Sequence, residues 1–322
     1  MYGLNLALSQ ALPQLRPVAN GDFEASVDLS GLCIPKQQFI SPHQLERSKN
    51  NQKISISHSQ DWIRVDCPRS STEILRFFIR NDGSEVISDK PETIPISDVE
   101  SFLLGPILGA VLRLRQRVCL HASVMEHDGK AFAMIGNKGA GKSTTAAALL
   151  QAGARLVSDD IAVFKTGAIP PATVYPGYPG VRLMPDALSS FDLKQSDYAQ
   201  VVSTTDKRYV PLAENNIAHD NKTNWQFQSR PCDLSAVYTL NSRQSDLGNP
   251  QINTLSQKQA LIALAPHAYG RSVLNERQRA EEFAFMAQLS RHITIKSVDR
   301  PDNLELLPKI AKDILADVSS IN

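Results

Sequence analysis

Two glycines, a lysine and a hydroxyl are spaced as G-x-x-x-x-G-K-S in Gly136-Asn137-Lys138-Gly139-Ala140-Gly141-Lys142-Ser143. Each fixed residue has a physical task. Glycines let the backbone curl until successive N–H groups face one point, which is how a loop cradles phosphate oxygens. A helix starting at Lys142 adds the positive end of its dipole. The Lys142 ammonium can reach β- and γ-phosphates, and the Ser143 hydroxyl can ligate Mg²⁺. Thr144 follows and extends the stretch expected to touch the nucleotide. Such a pattern also arises by chance, so its neighbours matter. An apolar strand, Ala131 to Ile135, ends at the first glycine, and a helix-forming run starts at the lysine. Both are what a phosphate-binding P-loop requires, which leaves a glycine-rich turn without a nucleotide as the weaker alternative.

A second group lies one helix further on, in Leu156-Val157-Ser158-Asp159-Asp160. Successive side chains of an extended strand point to opposite sides, so these two carboxylates need not share a task. One can hold Mg²⁺ directly or through water, and the other can accept the proton of an attacking hydroxyl. The bland alternative is an acidic turn or helix cap. A third candidate, His121, sits in the apolar run Cys119-Leu120-His121-Ala122-Ser123. Taken alone, such a histidine is more often a hydrogen-bonded core residue than a catalyst.

The elements that must position these groups form two blocks. Residues 1 to 95 read as short strands between turns: Gly3 to Leu8, Phe23 to Leu29, Lys53 to His58, Trp62 to Cys67 and Ile74 to Arg80. Asn81-Asp82-Gly83 is a turn signal. Residues 96 to 322 read as the P-loop domain. Ser97-Asp98-Val99-Glu100 has the spacing of a capping box, and the run Phe102 to Leu114 predicts a buried helix bent at Gly105-Pro106. Arg113, Arg115 and Arg117 then close it as a solvated, charged end, with a phosphate- or peptide-binding patch as the alternative. From 118 onward strands and helices alternate. Val118 to Met125, Lys130 to Ile135, Arg155 to Phe164 and Ile293 to Val298 are expected strands, with Asp128-Gly129 turning between the first two. Lys142 to Gln151, Gln257 to Leu264, Glu276 to Ser290 and Asp302 to Val318 are expected helices, Gly153 ending the first. The fold class is therefore α/β with a small β-rich N-terminal domain. The polar stretch Ala213 to Ser229 is a loop and a candidate lid.

The whole chain sets limits on function. Its 322 residues are 42% hydrophobic and 21% charged, the composition of an ordinary globular protein. Thirty-four basic against thirty-three acidic residues leave a net charge of +1, without the footprint of a nucleic-acid or anionic-membrane binder. The cysteines at 33, 67, 119 and 232 form no C-x-x-C pair, which argues against a zinc ribbon and fits a reducing compartment. No export signal is visible, and the longest uncharged apolar run, Ser101 to Leu112, is too short to span a bilayer. The expected location is cytoplasmic.

The order Leu-His-Ala-Ser, strand, glycine loop, helix, Leu-Val-Ser-Asp-Asp resembles the C-terminal catalytic domain of the HPr kinase/phosphorylase family. It is similar above all to the HPr-kinase-related proteins of lasso-peptide-type biosynthetic clusters. The likeness is specific over Phe102 to Phe164 and continues more weakly through Tyr175 to Leu183, Lys207-Arg208-Tyr209 and the C-terminal helices; the opening, Tyr2-Gly3-Leu4 through Leu12-Pro13, also resembles the start of those relatives. The resemblance implies a kinase fold akin to phosphoenolpyruvate carboxykinase that uses ATP and Mg²⁺ to phosphorylate a serine hydroxyl. It implies Lys142 and Ser143 as phosphate and metal ligands, Asp160 as general base, Asp159 beside the metal, and His121 as an active-site histidine. Arg182 and Arg208 are candidates to stabilise the transferred charge. Two departures stand out. Thr144 replaces the family's usual glutamate, and no Glu-x-Arg-Gly segment follows, so the resemblance carries forward transfer but not its phosphorolytic reversal. The expected acceptor is a serine on a small peptide, or else on a carrier protein or small molecule, and the family's habit implies a homo-oligomer. A nucleotide-binding accessory ATPase without an acceptor is the alternative. A carboxykinase of small metabolites lacks the second basic cluster a dicarboxylate needs.

Overall fold

The computed structural model describes residues 1–15, 24–30, 34–47, 53–165, 172–214 and 223–321. It divides the chain into two compact units, each with its own sheet.

One unit comprises Gly3–Gln116 with Gly270–Asn275. Its seven strands lie in the order Leu6–Leu8, Ala25–Asp28, Glu85–Asp89, Ile74–Arg80, Trp62–Pro68, Lys53–His58 and Ile40–Arg47. The first three run parallel and the rest are antiparallel. Along Trp62–Pro68 buried Ile63, Val65 and Cys67 alternate with half-buried Arg64, Asp66 and Pro68, the period-2 pattern that covers one face.

The helical segment 96–114 belongs to this unit and not, as expected, to the glycine-loop domain; the division falls between Gln116 and Arg117. Its details also differ from the sequence reading. The first helix starts at Ile96 with Pro95 as N-cap, which puts Ser97 inside the first turn, so no capping box forms. Asp98 instead pairs with Arg69 at 2.5 Å, and a Glu100 carboxylate oxygen accepts the Gln14 N–H at 2.6 Å. The bend at Gly105-Pro106 is present as a π-helical turn, Leu103–Ile107, with Gly105 off helical geometry. Arg113 is not solvated. It is 3% exposed, and its stem lies where a Cβ on Gly270 would meet it at 2.9 Å.

The other unit comprises Met1–Tyr2, Arg117–Tyr269 and Glu276–Asn322 and is a mixed α/β body around an eleven-stranded sheet. At its centre Lys130–Ile135 runs antiparallel to Ser123–His127 and parallel to Cys232–Gln244, which is parallel in turn to Thr294–Pro301. Arg155–Ser158 lies antiparallel on the far side of Ser123–His127. Four strands therefore point the same way, and the residues after Ile135, Ser158, Leu240 and Val298 emerge along one edge. Open α/β sheets carry their sites at this edge.

Both faces of the central strand are buried, so it reads as a continuous apolar run. Phe132 and Met134 pack against helices Lys142–Gln151 and Leu307–Ser319. Ala131, Ala133 and Ile135 face Leu264, Met286 and Leu289 of helices Gln257–Leu264 and Glu276–His292.

Two expected strands are broken. Val118 to Met125 divides into Val118–Leu120 and Ser123–His127, with His121 in the gap. Arg155 to Phe164 divides into Arg155–Ser158 and Ala162–Phe164, and the aspartates fill the gap. Of the polar stretch 213–229, Ala213–Glu214 and Gln226–Phe227 are short strands, and 215–222 lie outside the described residues, as does Cys33. Among the described residues no helix is long and apolar enough to cross a membrane.

Candidate functional site

The glycine loop leaves Ile135 and enters the helix Lys142–Gln151 at the expected residues. Gly136 passes so close to the neighbouring strand that a Cβ would lie 2.8 Å from the Leu240 carbonyl oxygen, and backbone there cannot yield. Lys142 is 8% exposed, and its Nζ donates to the Gly136 carbonyl at 2.7 Å. Burial lowers its pKa, and the charges of Asp160 and Asp159 act in the opposite sense. Asn137, Lys138 and Gly139 are exposed, and Ala140, Ser143 and Thr144 are half-buried. Beside the loop lies a cleft of about 460 Å³, lined further by Asn241, Arg243, His267 and Asp302. That volume is ligand-sized.

Arg300, which the sequence reading passed over, fastens this loop from below. It is 2% exposed, on the strand Thr294–Pro301. One terminal nitrogen donates to the Ala140 and Asn241 carbonyls, the latter at 2.9 Å, and the other to the Thr145 hydroxyl at 3.3 Å. The fork of a guanidinium suits three acceptors at once. Its burial draws its pKa down to about 10, with Arg243 adding to the shift. No local motif marks Arg300, because its partners are 59, 155 and 160 residues away in sequence.

The two aspartates do not continue a strand. The Ile161 N–H bonds to the Asp159 carbonyl at 2.8 Å, making a three-residue turn with Asp160 at its centre. Asp160 has φ +65° there, the hand of this turn that is rare and strained for a residue with a side chain. Four contacts hold the turn. The Ser158 hydroxyl donates to the Ile161 carbonyl at 2.6 Å. His121 Nδ1–H donates to the Asp160 carbonyl at 2.9 Å. The Ser123 hydroxyl donates to Asp159 Oδ1 at 2.8 Å, and the Arg182 N–H to Oδ2 at 3.4 Å. Backbone strain maintained by its surroundings is typical of functional positions.

The turn splits the two carboxyls chemically. Asp159 is fully buried, and burial followed by the neighbouring Asp160 charge pushes it up to about 6. At Asp160 burial acts upward as well, but the cations Arg182, Lys207, His121 and Lys142 outweigh it and hold the carboxyl below its ordinary value. Arg182 Nη1 lies 3.9 Å from Asp160 Oδ2, with its guanidinium over the Tyr178 ring.

The structure thus brings Lys142, Asp159, Asp160 and His121 together, with Arg182 and Lys207. It directs Arg208 elsewhere: the guanidinium lies 2.7 Å from the Gln195 side-chain amide. His267 was not foreseen. Its carbonyl accepts the His121 N–H at 2.7 Å, and burial, then Lys142 and His121, push its pKa down to about 4. The imidazole is therefore neutral at ordinary pH.

A phosphate fits this cradle. The loop starts where no side chain is tolerated and ends at a buried lysine beneath a helix start. For Mg²⁺ the donor set is spare. Among the described residues no three acidic, histidine or cysteine side chains are grouped so as to hold a metal ion, but Ser143 offers a hydroxyl and Asp159 Oδ2 carries only one long hydrogen bond. Mg²⁺ commonly takes one or two protein oxygens together with substrate phosphates and water, so the residues fit.

No protein-family model and no curated protein matches the chain. Among solved structures it is similar to the Hpr(Ser) kinase/phosphatase from Coxiella burnetii, with 10% identity and a TM-score of 0.30 over 63% of this chain and 99% of that one. A likeness so distant leaves function to be read from the residues themselves.

Proposed function

We propose that the protein is an ATP-dependent kinase that transfers the γ-phosphoryl group to a serine-type hydroxyl, most simply on a small peptide. The observation that carries this reading is the strained turn at Asp160, set on the same sheet edge as the glycine loop and Lys142. A protein that only binds or switches on a nucleotide has no need of a carboxylate held there against its backbone preference.

Bound ATP and Mg²⁺ would supply the phosphoryl group and offset its negative charge. The chain's own residues do the rest. Loop N–H groups and Lys142 hold the phosphates, while Ser143 and Asp159 hold the metal. Asp160 is ionised at neutral pH, accepts a hydrogen bond from the acceptor hydroxyl and aligns it. A carboxylate of lowered pKa is a weak base, so its contribution is orientation before proton removal, which suits a reaction governed by positioning and charge. Arg182 and Lys207 bring positive charge to the side of Asp160 where transfer takes place. His121 acts through the main chain, fixing the Asp160 carbonyl.

The test is incubation with labelled ATP, Mg²⁺ and serine-bearing peptides encoded near the gene, followed by mass spectrometry to locate the phosphate, with Lys142→Ala as control. Phosphoserine made by the wild type alone supports the proposal. ATP turnover without a phosphorylated product, across peptides, carrier proteins and free serine, would replace it with an accessory ATPase.

A further inference from the structure

The opening Tyr2-Gly3-Leu4 has no part in the chemistry just described, yet Tyr2 is buried within the unit that holds the carboxylate turn. It is 0% exposed and has φ +54°, an unfavourable conformation for a tyrosine. Its N–H donates to the Pro176 carbonyl at 2.6 Å. The ring then lies against Gly177, where a Cβ would meet Tyr2 Cε1 and Oη at 3.1 Å and Ser158 Oγ at 2.7 Å. Gly177 is itself tied to the strand before the turn, its N–H donating to the Val157 carbonyl at 2.8 Å. Tyr2, Gly177 and Ser158 therefore form a stack without space for one more carbon. Ser158 is also the residue whose hydroxyl closes the turn onto Ile161.

We infer that Tyr2 is a positioning residue for the Asp160 turn: its ring, seated on Gly177 while Pro176 holds its main chain, keeps Ser158 in the rotamer that holds the strained backbone. The strain at Asp160 persists only while its surroundings over-determine it, and Tyr2 is the part of those surroundings contributed from far away in sequence. Burial raises the Tyr2 hydroxyl well above its ordinary pKa, so the side chain stays neutral beside two carboxylates. The ring supplies the bracing volume, and the hydroxyl reaches Ser158 itself. The inference relies on the proposed kinase reading only for what the turn is for.

The experiment compares wild type with Tyr2→Phe, Tyr2→Leu and Tyr2→Ala. The first readout is the His121 Nδ1–H proton by NMR, which reports the bond to the Asp160 carbonyl independently of any activity. The second is phosphoryl turnover set against Mg-ATP affinity. Tyr2→Phe, which keeps the ring and loses only the hydroxyl beside Ser158, should lie closest to wild type in both. Tyr2→Leu, which keeps an apolar filling, and Tyr2→Ala should show faster exchange of that proton by about tenfold or more, with turnover reduced to a similar extent and Mg-ATP affinity unchanged, since small displacements of reacting groups lower rate before binding. A folded Tyr2→Leu variant with the wild-type His121 signal would overturn the inference. A wild type that turns over no ATP would sink the kinase reading instead, while the His121 signal would still decide the role of Tyr2.

Discussion

At the scale of single residues, two adjacent aspartates have been given opposite acidities by one turn. Asp160, surrounded by cations, is ionised in the neutral range. Replacing it with Asn keeps the shape and removes the charge that orients the acceptor. Asp160→Asn should therefore bind Mg-ATP as wild type does and transfer phosphate about a hundredfold more slowly or worse; equal rates in a single-turnover assay would take the role away from Asp160. Asp159 titrates near 6, raised first by burial and then by Asp160. Its sign follows from linkage. The folded state holds this proton more tightly than the unfolded chain, so the group's stabilising contribution is full below about 4 and lost as pH rises through about 6. Asp159→Asn, which cannot lose the proton, should melt at a higher temperature than wild type at pH 8 and show little difference at pH 4. The same variant should have a raised Mg²⁺ requirement that does not change with pH, which wild type approaches only as pH falls through about 6. Thermal melts that differ equally at both pH values would show that packing, not protonation, separates the two proteins.

At the scale of elements, what was legible in the sequence is what local chemistry determines. The strand–loop–helix from Lys130 to Gln151 could be read residue by residue, because alternation, glycine spacing and the helix end are local signals. Its C-terminus closes as Gly153 implied: the Gly153 and Ala154 N–H groups return to Leu150 and Leu149 carbonyls at 3.1 and 3.0 Å. The break at Asp159-Asp160 was not legible, because Leu156-Val157 and Ile161 to Phe164 read as one strand, and three of the four bonds that hold the turn come from His121, Ser123 and Arg182, far off in sequence. The capping box failed because a helix begins where its backbone turns, here one residue before the motif. Arg300 is the largest omission. Removing it leaves two loop and strand carbonyls without their donor, and each buried unpaired group costs about 1–3 kcal/mol. Arg300→Met should therefore weaken Mg-ATP binding about tenfold or more by calorimetry, with Arg300→Lys between the two because one ammonium nitrogen cannot stand where two separated guanidinium nitrogens reach the loop, the strand and the helix. Unchanged affinity in Arg300→Met would mean that the glycine loop holds its shape without support.

At the scale of the whole molecule, the sequence shows two blocks but not the boundary between them. An apolar run such as Phe102 to Leu114 announces that a helix is buried and says nothing about what buries it, so its place in the chain alone puts it with the block that follows. The structure instead gathers 3–116 and 270–275 around one sheet, and leaves the glycine loop, its arginine fastening and the carboxylate turn in the other unit together with Tyr2. All proposed nucleotide contacts therefore fall within a single unit, and a bound nucleotide has to reveal itself there. A ligand that binds only the folded state at about a hundred times its Kd stabilises it by about 2.7 kcal/mol, enough to slow amide exchange through shared opening about a hundredfold. Hydrogen exchange read by mass spectrometry should then show Mg-ATP protecting peptides from 130–151 and 239–243, while peptides from 53–89, in the other unit, exchange at their original rates. Lys142→Ala should abolish the protection, while exchange in the absence of nucleotide changes only around Gly136, whose carbonyl loses the Lys142 ammonium. Protection spread evenly over both units would contradict a site confined to one of them. A complete lack of protection at millimolar Mg-ATP would remove the nucleotide from the glycine loop, and the kinase reading with it.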